Sequence, residues 1–256
     1  MGHFEVAARS AIGLVRTGNE DSALTSQRVL AVADGMGGHA AGEVASKIAI
    51  ETLEKISAVI TSDDIDAESA DDIFTQTLNV IDSELAAYVD EKPELKGMGT
   101  TFTSLYARAG KVALLHIGDS RAYRLRGNTF EQLSVDHTVI AQLLASGTIT
   151  EADISTHPQR SVLTQVLMGE GQTDSALVIL EAKTQDRYLL CSDGLSSVLS
   201  DKEMKSLIKG KERSAAVDAL IEATYVNGAP DNVTVIVADY IDGEATSGIS
   251  KLGAAQ

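Results

Sequence analysis

Val29-Leu30-Ala31-Val32-Ala33-Asp34-Gly35-Met36-Gly37-Gly38-His39 is the stretch around which this chain is organised. Five consecutive apolar residues predict a strand buried on both faces. The run ends in an acid, and three of the next four residues are glycine, which let another group approach the main chain closely. A carboxylate on a rigid, buried strand end is a good place to hold a cation.

N-terminal to this strand, Phe4, Val6 and Ala8 alternate over residues 3–10, which predicts a first strand, and Arg16-Thr17-Gly18-Asn19-Glu20-Asp21 is a polar turn. C-terminal to it, Ala41, Ala45, Ile48, Ala49, Leu53, Ile56 and Ile60 recur at helical steps. An acidic run (Asp63, Asp64, Asp66, Glu68, Asp71, Asp72) leads into a second helix carrying Phe74, Leu78, Ile81, Leu85 and Tyr88, which stops near Pro93. Thr101–Ala107, Val112–Ile117 and Ala122–Leu125 are short β-patterned runs, spaced as an antiparallel meander. Residues 136–171 break the pattern and predict an insertion, or flap, over a sheet edge. Strands resume at Ala176–Leu180, Tyr188–Cys191 and Val233–Ala238, with a helix over 212–225 between the last two. The order is α+β, with hairpins rather than β-α-β alternation. One domain over residues 1–241 is expected, followed by a small, polar, disordered tail at 242–256.

A net charge of −16 over 256 residues argues against nucleic acid and anionic membranes as partners. The first residues lack the basic and apolar regions of a secretory signal, and no apolar run approaches the ~20 residues that span a bilayer. A single cysteine forms no internal disulfide, so a reducing, cytoplasmic location is expected. Cys191 lacks an arginine six positions on, where Ser197 stands, and is read as a buried strand residue rather than a phosphatase nucleophile.

Five acids share one setting. Asp21, Asp34, Asp193 and Asp231 stand at strand ends or polar corners, and Gly118-Asp119-Ser120-Arg121 adds Asp119. Clustered carboxylates repel, and must protonate, pair or bind a cation. Oxygen ligands without histidine or cysteine spacing suit Mg²⁺ or Mn²⁺ better than Zn²⁺. Two such ions ~3.5–4 Å apart would clamp a water and aim it at an electrophile. These residues alone predict a metal-dependent hydrolase.

In order, Arg16-x-x-Asn19-x-Asp21, Asp34-Gly35-Met36-Gly37-Gly38-His39, Gly99-Thr100-Thr101, Gly118-Asp119-Ser120-Arg121, Ser192-Asp193-Gly194 and Asp231-Asn232 resemble the metal-dependent serine/threonine protein phosphatases of type 2C (the PPM family), in their compact bacterial form. The resemblance covers residues 3–240. It implies two antiparallel sheets packed as a sandwich with helices on both outer faces, a four-layer arrangement. It also implies that Asp34 bridges two metal ions and that the Gly35 carbonyl ligates one of them. Asp193 and Asp231 would complete a site with waters, Asp21 would hold waters, and Asp119 with Asp193 would take a third, weaker ion. Arg16 would grip the substrate phosphate, for which a guanidinium is geometrically apt. The implied reaction is hydrolysis of phosphoserine and phosphothreonine in proteins by direct attack of a metal-bridging water or hydroxide, opposing a serine/threonine kinase.

The chain departs from the animal-type pattern at Met36, where those members carry a histidine as general acid. His39, three residues on, is the candidate replacement, with a metal-bound water as the alternative donor. Two rival readings are a non-catalytic phosphatase-like binding domain, which would lose the metal acids retained here, and a phosphatase for one regulator protein or a small phosphoester. A monomer is expected, because no apolar stripe is left over once the core faces are assigned.

Overall fold

The computed structural model describes residues 2–38, 41–62, 64–108, 110–171, 176–243, 245 and 248–256. The chain begins with β1 (Gly2–Ala11), β2 (Asp21–Ser26) and β3 (Val29–Met36), then α1 (Ala41–Ile60), α2 (Ala67–Thr75) and α3 (Thr77–Glu91). A short 3-10 turn at Pro93–Leu95 leads into β4 (Gly99–Thr100), β5 (Phe102–Arg108), β6 (Lys111–Ile117), β7 (Arg121–Arg126) and β8 (Thr129–Gln132). Helix α4 (Val139–Ala145) and a 3-10 stretch at Glu151–Thr156 lie before β9 (Val178–Glu181) and β10 (Arg187–Cys191). Helices α5 (Asp193–Ser196), α6 (Asp201–Ile208) and α7 (Arg213–Val226) precede β11 (Val233–Asp242) and β12 (Ile249–Gly253).

Two antiparallel sheets result. One runs β1-β11-β10-β7-β8, and the other runs β12-β2-β3-β5-β6-β9 with β4 paired to the end of β3. The alternation within β3 explains why it reads as continuously apolar. Val29, Ala31 and Ala33 face α1, α2 and α3, whereas Leu30 and Val32 face the second sheet. β11 does the same on its own sheet: Val233, Val235 and Val237 meet α6 and α7, and Ile236, Ala238 and Tyr240 point between the sheets. Three apolar layers therefore separate four structural ones, as the family resemblance implies. The middle layer is closed by Phe4, whose ring meets those of Tyr188 and Tyr240 edge-on at 5.7 and 6.2 Å.

Two expectations are corrected. The three β-patterned runs after Thr100 are not one meander. β5 and β6 form a hairpin, but at Gly118–Ser120 the chain leaves that sheet and β7 joins the other, against β10. Thr103 and Thr101 stabilise the corner by hydrogen bonds to the Ser120 carbonyl (2.8 Å) and hydroxyl (2.7 Å). A hairpin and a sheet-to-sheet corner have the same strand spacing, so periodicity alone does not separate them.

Nor are the described residues 248–256 of the expected tail disordered. β12 pairs with β2 from Ile249↔Ser26 to Gly253↔Ser22, Ala254 N donates to Asp21 O at 2.8 Å, and Ala255 is buried against the helical core. The physical reason lies in β2, whose outer edge would otherwise leave backbone N–H and C=O groups unpaired. Lys251 adds an ion pair to Glu54 of α1 at 2.9 Å.

Gly253 adopts a φ of +68°, and a Cβ placed there would lie 2.1 Å from the Asp21 carbonyl oxygen. Gly253→Ala is expected to destabilise the protein by about 1–3 kcal/mol, read as a lower urea midpoint with unchanged slope.

Candidate metal centre

Asp21 is the first residue of β2 and Asp34 the sixth of β3, and the two are direct cross-strand partners. Like charges placed opposite each other in a sheet repel, so this register needs a compensating design. Part of it is backbone. Asp34 N donates to Thr101 Oγ1 at 3.0 Å, and the Asp34 carbonyl accepts from Thr101 N (2.9 Å) and Thr100 Oγ1 (3.0 Å). Asp34 thus sits on a main chain gripped from both sides by the Gly99-Thr100-Thr101 strand.

Gly35 shows why its residue type is required. A Cβ there would lie 2.0 Å from the Gly42 carbonyl at the start of α1 and 2.6 Å from the Glu20 carbonyl. The turn before β2, the end of β3 and the first turn of α1 are packed backbone against backbone. Gly194 repeats the device, since its Cβ would meet the Asn232 carbonyl at 1.8 Å. This close approach draws the Asp193 corner and the Asp231 corner together.

Asp193 is the first residue of the short helix α5, directly after β10. Ser192 beside it is fully buried; its hydroxyl donates to Asp21 Oδ2 at 2.7 Å and accepts from Thr234 N at 3.0 Å. Asp231 precedes β11, and its Oδ2 accepts from Arg16 Nη2 at 2.7 Å. Asn232 organises the segment that carries Arg16 and Asp21. Its amide donates to the carbonyls of Ile12 (2.9 Å) and Gly18 (2.8 Å), and its Oδ1 accepts from Glu20 N at 2.8 Å. Sequence reasoning gave no role to Ser192, Asn232, Thr101 or Ser120. The one signal available was their place inside the motifs, as small polar residues beside the acids.

The electrostatics show that the five acids share one space. Burial pushes the Asp21 carboxyl up to about 7, with Asp193 and Asp231 adding repulsion against hydrogen bonds from Thr234 and Ser192. Burial raises Asp34 well above the usual carboxylate range, and Asp21, Asp193, Asp119 and Asp231 all push in the same direction. Asp119 rises to about 7 by burial and by the charges of Asp193 and Asp136, and Asp193 rises by burial and by Asp231.

These residues fit divalent cations. Asp21 Oδ1 is fully buried with no hydrogen-bond partner, and the donors are hard oxygens throughout. Among the described residues no three His, Cys, Asp or Glu side chains are grouped so that they alone could hold an ion, so the carbonyl of Gly35 and waters would have to complete any coordination shell. His39, the candidate general acid, lies outside the described residues. Arg16 is half-exposed and rests on Asp231, while Arg121 turns away from Asp119 to fork onto Asp136, with Nε and Nη2 at 2.9 and 2.6 Å from Oδ2. The two flanking histidines of the Asp119 corner are structural. His116 is buried between Thr103 and the Val135 carbonyl, and its ring stacks on His137 at 5.0 Å.

Comparison with known proteins agrees with this geometry. The family model of protein phosphatase 2C matches residues 17–227. The serine/threonine protein phosphatase PstP of Mycobacterium tuberculosis is 42% identical over 239 residues, which are 92% of this chain and 45% of that protein. The chain thus spans just under half the length of that relative. The serine/threonine phosphatase stp of Listeria monocytogenes is 32% identical over 237 residues, 89% of this chain and 92% of that one. Among solved structures, the catalytic domain of a PstP with two manganese ions superposes with a TM-score of 0.86 at 39% identity, covering 94% of this chain and all of the other.

The raised acids set a pH test on metal-free protein. Asp21 carries its proton up to about pH 7 in the fold, but only to ~3.9 when unfolded. Between those values the native state binds the extra proton, so this group's contribution to stability falls as pH rises. Asp21→Asn, which mimics the protonated acid, should therefore gain stability relative to wild type from pH 5 to pH 8 in EDTA, followed by urea unfolding. Saturating Mn²⁺ should reverse the order at pH 8.

Proposed function

The chain belongs to the protein phosphatase 2C family, and from that premise we propose that it hydrolyses phosphoserine and phosphothreonine monoesters in proteins. The observation that carries this reading is the convergence of Asp21, Asp34, Asp119 and Asp193, each raised by burial and by neighbouring acids, with Asp231 among the charges that act on Asp21, Asp34 and Asp193.

Asp34 and the Gly35 carbonyl, with Asp193 and Asp231, would hold two Mn²⁺ or Mg²⁺ ions, Asp21 would order their waters, and Asp119 with Asp193 would take a third. Bound there, the ions supply an activated water and neutralise charge on the phosphoryl oxygens. The protein's own part is positional. Thr100, Thr101, Ser192 and Asn232 fix the acids on strand ends, so no reorganisation is needed as charge develops. Arg16 is suited to the phosphate because its partner is exchangeable. An ion pair this exposed is worth at most ~1 kcal/mol, and a phosphate dianion competes well for the guanidinium. His39 is retained as a candidate donor to the leaving serine or threonine oxygen.

Phosphorylated proteins, targets of a serine/threonine kinase, are the proposed partners. We place the chain in the cytoplasm, as a monomer. The lone thiol, Cys191, is fully buried in β10, and no helix among the described residues is long and apolar enough to cross a membrane. Residues 136–171 are proposed as the flap that tunes substrate access.

The reading is tested by the initial rate on a phosphothreonine peptide, which should require Mn²⁺ and vanish in EDTA; no rate with any divalent ion overturns it. Arg16→Ala is expected to raise KM for the peptide roughly 10–100-fold, the loss of a charge-assisted contact, with kcat less affected. Asp119→Ala should cut turnover while two Mn²⁺ per chain are still retained after gel filtration, counted by elemental analysis.

A further inference from the structure

Asp82 lies on α3, outside the metal centre, and is 4% exposed. It meets the backbone of the segment that returns from the 136–171 insertion. Oδ1 accepts from Met168 N (3.1 Å) and Gly169 N (2.7 Å), and Oδ2 accepts from Gly171 N (2.7 Å). Three N–H groups on one buried carboxylate make a strong, directional clamp. Gly169 allows it: φ is +77°, and a Cβ there would lie 2.6 Å from Ala86 N, so this strap lies directly against the helix backbone.

The clamped segment continues to the metal centre. Leu167, fully buried, exchanges two backbone hydrogen bonds with Thr100 (2.9 and 3.0 Å), and Thr100 Oγ1 donates to the Asp34 carbonyl. The other end of the insertion has its own anchor. Asp136 takes the fork of Arg121, and His137 N donates to the Gly118 carbonyl at 2.8 Å. Between the two anchors the insertion is tied at its base, where Val139 N donates to the Val162 carbonyl at 3.0 Å and Thr164 N to the His137 carbonyl at 2.8 Å, whereas Glu151–Asp153 and Gln159–Val162 are exposed.

We propose that Asp82 is a positioning residue that locks the returning end of the flap onto the scaffold, so that the flap presents a fixed wall to a protein substrate. The inference rests on the phosphatase reading only for its substrate consequence; the clamp itself is independent of any activity. A wall fixed in this way discriminates between substrates. A phosphopeptide long enough to reach the flap depends on its position, and a small aryl phosphate does not.

Both parts are open to experiment on the whole chain loaded with Mn²⁺. Arg160 is the only Lys or Arg between Arg126 and Lys183, so trypsin reports on the flap through one bond. Asp82→Ala should speed cleavage after Arg160 at least about tenfold, without faster cleavage elsewhere and with a thermal midpoint close to wild type. KM for a phosphothreonine peptide should rise about tenfold, while kcat/KM for p-nitrophenyl phosphate stays within about twofold. Asp82→Asn keeps the shape but turns an amide group toward N–H donors; it should fall between the two, and it serves if the alanine variant folds poorly. Cleavage at the wild-type rate in both variants overturns the clamp. So does faster cleavage at all sites, which would make Asp82 a general fold contact. Faster cleavage at Arg160 without the split between substrates overturns the role in substrate handling. A wild-type chain inactive on every phosphopeptide overturns the phosphatase reading and leaves the proteolysis to decide the clamp.

Discussion

Repulsion among buried carboxylates is the constraint on which the rest of this structure turns. Asp21 and Asp34 face each other across a β-ladder, and Asp119, Asp193 and Asp231 lie close enough to act on Asp34 electrostatically. Without compensation these charges would drive the strand ends apart. Apart from Arg16 on Asp231, the answer among the described residues is not a lysine or arginine on each acid. The chain uses small hydroxyl and amide side chains: Thr101 on the Asp34 main chain, Ser192 on the Asp21 carboxylate, Asn232 on the backbone of the Arg16 segment. The acids are held in place but left electrostatically unsatisfied. That is the condition under which divalent cations bind well and also stabilise the fold.

Holding charged strand ends still requires a frame that does not yield. Two sheets with three apolar layers provide it, because each central strand is packed on both faces and has no soft side. The acids come from the ends of β3 and β10 and the starts of β2 and β11, together with one sheet-to-sheet corner. Asp21, Asp34 and Asp193 are therefore parts of regular elements, and Asp119 and Asp231 each lie two residues from a strand, so sheet packing constrains their separation.

Much of this was legible in the sequence where a strong local signal coincides with the chemistry. The apolar run into Asp34 and the Tyr188–Cys191 run before Asp193 announce buried strands, and the acids follow from their position. The signal failed where the structure is decided by partners far away in the chain. β12 has only Ile249 and Leu252 as large apolar residues, and it exists because β2 offers an unpaired edge. β7 changes sheets for reasons of packing that no spacing reports. Asn232 and Asp82 matter through hydrogen bonds to distant backbone, and an isolated polar residue in a sequence carries no mark of such a role.

The pairing of β1 with β11 over their whole length, from Gly2↔Asp242 to Ala11↔Val233, bears on how the protein is made. β1 is synthesised well before β11, the partner it waits for. At ~5–20 residues per second the interval is on the order of ten to fifty seconds. During it, one edge of the smaller sheet is open and Asp231 has not joined the other acids. The nascent chain consequently has no complete metal centre, and loading with ions follows synthesis rather than guiding it.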